Sequence, residues 1–358
     1  MIIWVIILTC EDFIEKLPGL EGKVAITALG NPDPDAIASA FALGRLFETM
    51  NVDFGYLFES EINRPENQLL VNYLEIDIDT ISSDGFDGYD HVSLVDCNQS
   101  RLSANFKQGL RKELEEKLLS VQDHHSIDDD DNYPLKKDGV FVDIRPEMGC
   151  CATILSECLV KTDVGFEEKT ATALYYGLHS DTNGMLRGFN LTDFEQVINY
   201  VDKIDREALT EIVGAVMTSE TFEIIHRVTD RELYEVRGTY KFADAGTLTS
   251  KNRAAIPQVA DLLLREEGIE GIVVAGIDLD DNLVLGSVRY SGSRYTAEEI
   301  AAKIAEGVGS GGGHVEMGGF QINPGVLVDT LQKESTQTAL LESIKERFFN
   351  VVGKSSEG

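Results

Sequence analysis

The chain has 358 residues, more than one compact core usually holds, so two domains are expected, and its apolar fraction of 43% excludes a mainly disordered polypeptide. Thirty-one Lys and Arg stand against 62 Asp and Glu, a formal charge of −31. Such a field repels an extended phosphate backbone and excludes long duplex DNA as a partner, whereas a small phosphorylated ligand can be met by a bound cation.

The opening Met1 to Leu8 is apolar but has no basic flank and is too short to span a bilayer, which takes about 20 residues. It is expected to be a buried strand or the product of a misplaced start codon, and no other stretch is apolar enough to cross a membrane. From Val24 to Leu29 an apolar run reads as a strand. Gly30-Asn31-Pro32-Asp33-Pro34-Asp35 reads as a loop, and Ala36 to Met50 as a helix. The unit recurs, with strands at His91 to Asp96 and Leu118 to Asp123 and helices around Pro65 to Leu74, Gly109 to Lys117 and Ala152 to Val160. Asp128 to Asp131 is a charge run of the kind that forms a solvated loop. Alternation of this kind predicts an α/β fold with a mainly parallel sheet, whose ligands sit at the carboxyl ends of the strands. Residues Leu191 to Glu223 read as a helical connector with one polar face. A second, smaller α/β unit follows, with strands at Tyr234 to Phe242, Gly271 to Asp278 and Asn282 to Tyr290 and helices near Ile256 to Glu267 and Ala297 to Glu306. Its landmark is Ser310-Gly311-Gly312-Gly313-His314, a backbone bare enough to approach a ligand closely. Cys10, Cys97, Cys150, Cys151 and Cys158 form no C-x-x-C pair and leave an odd count, so neither a zinc finger nor a disulfide framework is expected, and the setting is reducing and cytoplasmic.

Acids and histidines concentrate at four predicted strand ends: Asp33 with Asp35, Asp96, Asp123-His124-His125, and Asp181. Carboxylates and imidazoles together suit a pair of hard divalent cations, which polarise a phosphoryl oxygen and activate water. In an extended loop, residues two apart project the same way, so Asp33 and Asp35 can each face one cation. The adjacent histidines point apart, and one can hold metal while the other meets substrate. Singly, Asp-Pro-Asp is an ordinary turn and His-His an ordinary pair, but in this order at strand ends they read as one site.

These motifs resemble the DHH phosphoesterase superfamily. The likeness rests on Asn31 to Ser39, on Val95-Asp96, on Asp123-His124-His125-Ser126, on Gly177 to Thr182 and on the Gly311 to His314 segment, which looks like the DHH-associated C-terminal domain. The resemblance implies a DHH metal-binding catalytic domain over residues 20–188, a connector over 189–225 and a substrate-binding domain over 226–345. It further implies two Mn2+ ions, with Mg2+ or Co2+ as alternatives. Asp33 and Asp96 would hold the first ion, and Asp35, Asp96, His124 and Asp181 the second. His125 would meet the scissile phosphate or the attacking water, Asp123 would orient a histidine, and Arg289 with Gly311, Gly312, Gly313 and His314 would hold the nucleotide phosphate, Arg294 competing for the same task.

Two departures stand out. The family's first motif carries a histidine four residues before the first aspartate, and this chain has Leu29 there, which predicts a weaker first cation; His91 and His179 are more simply read as packing or solvent-facing residues than as substitutes. After the glycines, Val315-Glu316-Met317 replaces the small residues of relatives. The expected activity is hydrolysis of nanoRNA, a linear or cyclic dinucleotide, or a nucleoside bisphosphate, by a chain that forms homodimers as many soluble proteins do. The alternatives are a RecJ-like single-strand exonuclease, for which no basic, aromatic-studded groove is evident, and a nucleotide-binding regulator that has lost turnover through Leu29.

Overall fold

The computed structural model describes residues 10–30, 32–62, 64–82, 85–98, 108–125, 139–162, 164–214, 217–249, 252–313 and 315–353. Met1 to Leu8, Asn31, Ser126, Asp128 to Asp131 and His314 lie outside them. The chain divides into two compact units, residues 1–215 and 216–358.

In the first unit, strands β1 (Lys23–Thr27), β2 (Asp53–Phe58), β3 (Ile78–Thr80), β4 (His91–Val95), β5 (Leu118–Asp123) and β6 (Phe141–Ile144) form one sheet in the order β3-β2-β1-β4-β5-β6, and every neighbouring pair is parallel. The helices are α1 (Cys10–Lys16), α2 (Pro34–Thr49), α3 (Pro65–Leu74), α4 (Gln108–Lys117), α5 (Cys151–Lys161), α6 (Glu168–Asp181), α7 (Leu191–Ile198) and α8 (Arg206–Val213). Alternate residues of β1 serve opposite faces: Val24 and Ile26 pack with α2, α5 and α6, and Ala25 packs with Val92, Leu94 and Leu114 on the other side. A sheet covered on both faces needs near-continuous apolar strands, which is why these runs were legible. Helix α2 is buried almost all round, with Ala36, Ala38, Ala40, Ala42 and Gly44 buried alongside Ile37, Leu43 and Phe47.

In the second unit, strands β7 (Tyr234–Arg237), β8 (Tyr240–Leu248), β9 (Gly271–Asp278), β10 (Leu283–Tyr290), β11 (Gly309–Gly313) and β12 (Met317–Ile322) form a mixed sheet in the order β11-β12-β10-β9-β8-β7. Only β8 and β9 run parallel, joined through α10 (Ala255–Leu263). Helices α9 (Ser219–Val228) and α10 cover one face, and α11 (Ala297–Ala305) and α12 (Glu334–Gly353) the other.

The structure corrects several sequence readings. The strand expected over Tyr234 to Phe242 is a hairpin that turns at Gly238, whose φ of 62° suits glycine. The expected connector is divided: Val197, Tyr200 and Ile212 are buried in the first core, while α9 packs in the second. The glycine-rich residues Gly309–Gly313 form a strand at the edge of the second sheet. Cys10 and Cys158 form a disulfide with a Cα–Cα separation of 5.7 Å, contrary to the expectation from spacing, because the partners lie 148 residues apart and meet only when α1 docks on α5. Phe13 of α1 also stacks on Phe141 at 4.6 Å. No helix among the described residues is long and apolar enough to cross a membrane.

A cross-link closing so long a loop restricts the unfolded chain. Reductant, or Cys158→Ser, is expected to lower the unfolding free energy by about 2–5 kcal/mol, read from denaturant midpoints. Superimposable curves with and without reductant would show that the pair braces nothing.

Candidate metal centre

The strand order of the first sheet reverses between β1 and β4, and in doubly wound folds that point opens a crevice at the carboxyl ends of the strands. The chain leaving β1 reaches Asp33, which caps α2 by accepting from the Ala36 amide at 3.0 Å, with Pro34 following where no amide is needed. Asp35 therefore lies in the first turn of a helix, not in the extended loop the sequence suggested. It is fully buried, and its carboxylate accepts from the amides of Cys151 (2.6 Å) and Ala152 (2.8 Å) at the start of α5 and from Ser39 Oγ (3.2 Å). Helix N-terminal amides are what a buried anion requires.

Asp96 follows β4 in the left-handed region at φ 53°, its amide donating to the Gln122 carbonyl at 2.9 Å. Its Oδ1 is buried and makes no hydrogen bond. At the end of β5, Asp123 accepts from Asn98 Nδ2 (2.7 Å), the His124 amide (2.8 Å), the His125 amide (3.2 Å) and His125 Nδ1 (2.7 Å). Burial alone would raise the Asp123 carboxyl, but the bond from His125 and the adjoining imidazoles outweigh it and hold it below its ordinary value.

His124 is oriented from behind. Its Nδ1 lies 3.2 Å from the Met148 carbonyl, which can only accept, so Nδ1 carries the proton and Nε2 turns to the acids. Nε2 lies 3.2 Å from Asp181 Oδ2, 3.4 Å from Asp96 Oδ1 and 3.8 Å from Asp35 Oδ2. Asp181 is the last residue of α6, not the end of a strand as the sequence suggested. Burial, then repulsion from Asp181, pushes Asp35 up to about 7, and burial with repulsion from Asp35 and Asp33 raises Asp96. Burial and Asp181 likewise raise Asp33.

This donor set fits divalent cations. Two groups each have ligand atoms within 4.8 Å of one another, Asp35 with His124 and Asp181, and Asp96 with His124 and His125. Hard oxygens and imidazole nitrogen suit Mn2+ or Mg2+, and a carboxylate oxygen buried without a hydrogen bond gains most from a cation. Leu29 is half-buried and packs with the apolar layer that includes Val92 and Leu94. His179 contacts Tyr175 and Tyr176, and His91 Nε2 lies 3.0 Å from the Glu21 carbonyl.

The sequence reading missed the supports: Met148, Asn98 and the α5 amides. Only Asn98, two residues past Asp96, left a trace in the sequence.

The second unit holds Arg289 on β10, nearly buried and committed to Asp261 through Nε (2.6 Å) and Nη2 (3.1 Å) and to Ser287 Oγ through Nη1 (2.7 Å). A Cβ on Gly311 would fall 2.3 Å from the Ala301 carbonyl, and one on Gly313 2.2 Å from the Met317 carbonyl, so both glycines are required by packing; a Cβ on Gly312 would meet nothing. Arg294 is exposed, its guanidinium 5.5 Å from the centre of the Tyr295 ring.

Residues 23–178 match the DHH family, N-terminal domain, and residues 243–346 match the DHHA1 domain. The chain belongs to the DHH superfamily. This DHH protein is 31% identical over 331 residues to an uncharacterized protein of Methanocaldococcus jannaschii, across 91% of the chain and 63% of that relative. It is 29% identical over 164 residues to a probable manganese-dependent inorganic pyrophosphatase of Bacillus cereus, across 45% of the chain and 48% of the relative. The matched part thus spans less than two thirds of either curated relative. The DHH protein shares its fold with an exopolyphosphatase-related protein from Bacteroides fragilis, with TM-score 0.69, 14% identity and 97% of both chains covered. It also shares it with RecJ in complex with Mn2+ from Thermus thermophilus, with TM-score 0.52, 13% identity, and 97% of this chain and 55% of that one covered.

Two outcomes are expected. Because Asp35 holds its proton below about pH 7 and a cation must displace it, Mn2+ affinity rises with pH between 5 and 7 by about tenfold per unit for each proton released; calorimetry showing a flat profile would contradict this. A Cβ on Gly177 of α6 would lie 3.2 Å from Asp35 Oδ1 and 3.1 Å from the Ala38 Cβ. Since α5 clamps Asp35, Gly177→Ala is expected to weaken Mn2+ about tenfold, as loss of a ligand's support does, with little change in the far-ultraviolet spectrum.

Proposed function

We propose that the protein is a Mn2+-dependent phosphoesterase that hydrolyses a small nucleotide or short single-stranded oligonucleotide: nanoRNA, a linear or cyclic dinucleotide, or a nucleoside bisphosphate. The carrying observation is His124 Nε2 within 3.8 Å of Asp35, Asp96 and Asp181 at the strand-order reversal. Asp35, Asp96, His124 and Asp181 would hold one cation, and Asp33 with Asp96 the other. Bound divalent ions supply Lewis acidity at the phosphoryl group and make water a better nucleophile at neutral pH.

The protein's own groups do the rest. Asp123 fixes the His125 ring through Nδ1, which makes Nε2 the basic nitrogen, suited to holding a proton beside the scissile phosphate. The α5 amides keep Asp35 in place. Arg289 could engage a nucleotide phosphate only by exchanging Asp261 for it, so any such role belongs to a ligand able to outcompete that carboxylate. Leu29 supports unequal cation affinities. The charge of −31 supports a small substrate over a long strand. A cytoplasmic homodimer completes the proposal.

The test is Mn2+ titration followed by a substrate panel of di- to pentanucleotides, cyclic dinucleotides, nucleoside bisphosphates, pyrophosphate and long single strands. Two unequal Mn2+ sites and mononucleotide or phosphate release from the short nucleotides are expected. Asp96→Ala should reduce turnover by more than the about 10–100-fold typical of a supporting partner, because it removes the shared ligand. Full activity in Asp96→Ala, or turnover of pyrophosphate alone, would overturn the assignment.

A further inference from the structure

Arg64 immediately precedes α3, with Pro65 in the first turn, and its side chain caps no amide. It is half-buried, yet its guanidinium has no hydrogen-bond or ion-pair partner among the described residues. Asn67, on the same turn and buried, donates Nδ2 to the Pro32 carbonyl at 2.9 Å and so fastens the start of α3 to the residue that precedes Asp33. Tyr176, buried on the helix that ends in Asp181, bounds the same region. The positive charge of Arg64 lies within electrostatic reach of Asp33 and of Tyr176.

Charge gives this placement its meaning. Asp33, Asp35, Asp96 and Asp181 together neutralise two divalent cations, and Asp123 is matched by its bond with His125. Among these groups no positive charge is then left over for a phosphate dianion entering a poorly solvated crevice. Arg145, which follows β6, is taken by Asp143 (2.8 Å) and Glu157 (2.7 Å). The planar fork of an unpartnered arginine matches two phosphate oxygens. We propose that Arg64 is a substrate-binding residue that receives the phosphate group at the metal centre. The inference rests on the phosphoesterase reading and adds to it the counter-charge for the substrate.

The test uses the full chain loaded with Mn2+ and inorganic phosphate as the probe, measured by calorimetry, with Mn2+ binding measured separately. Arg64→Ala is expected to weaken phosphate at least about tenfold, the scale of a lost charge-assisted hydrogen bond, while Mn2+ affinity and melting temperature stay near wild type. Arg64→Lys should recover part of the loss, and on a hydrolysed nucleotide the Ala variant should raise KM more than it lowers kcat. Undiminished phosphate binding in Arg64→Ala overturns the proposal, as does a loss that only follows weakened Mn2+. A loaded wild-type protein that binds no phosphate and cleaves no member of the panel overturns the phosphoesterase reading and this inference with it.

Discussion

The two amide bonds from the start of α5 to Asp35 are the constraint around which the first unit is arranged. A buried carboxylate is costly, and several within a few ångströms of one another are costlier, unless each is paired or hydrogen-bonded. Each acid has a different support: Asp33 the amide of Ala36, Asp123 the side chains of Asn98 and His125, Asp181 the His124 ring, and Asp35 the N-terminal amides of α5. Asp96 alone leaves an oxygen buried without a hydrogen bond, at the centre of the group. The fold thus neutralises the periphery and leaves the middle unsatisfied, the charge distribution of a cation site and not of a core.

Helix packing follows from the same constraint. For α5 to present its amides to Asp35, α2 must run close to both α5 and α6, and small residues permit that. A Cβ on Gly177 of α6 would fall 3.2 Å from the Asp35 Cα and 3.1 Å from the Ala38 Cβ of α2. In the second unit glycine answers a different requirement, the approach of β11 and β12 to the backbone of α11, where Gly311 and Gly318 face the Ala301 and Ala297 carbonyls. The run Gly311-Gly312-Gly313 therefore contains two residues imposed by packing and one, Gly312, with open space beside it.

Much of this was legible. The apolar runs of β1, β4 and β5 and the acids after them gave the sheet and most of the cluster, because a doubly covered parallel sheet writes its strands as continuous apolar segments. Asp181 was located but set on a strand end, since His179-Ser180-Asp181 ends a helix whose amphipathic signal is diluted by burial on most sides. The geometry of Asp33 and Asp35 was misread because Pro34 marks equally a turn or a first helical residue. The partners that hold the ligands stayed hidden: a carbonyl such as that of Met148 and amides such as those of Cys151 and Ala152 have no sequence signature. The Cys10–Cys158 pair was hidden for a related reason, being created by docking and not by spacing.

The distribution of the site over the chain has a consequence for assembly. The candidate ligands follow β1, β4 and β5 and end α6, and the clamp on Asp35 comes from the helix after β6, so they are spread over most of the unit's sequence. A cation that recognises the completed cluster has little affinity for chains in which any one of these pieces is still undocked, and by mass action it draws the population toward the fully formed sheet. Metal supply would then govern how much of the newly made chain reaches its native form, as well as whether that form is active.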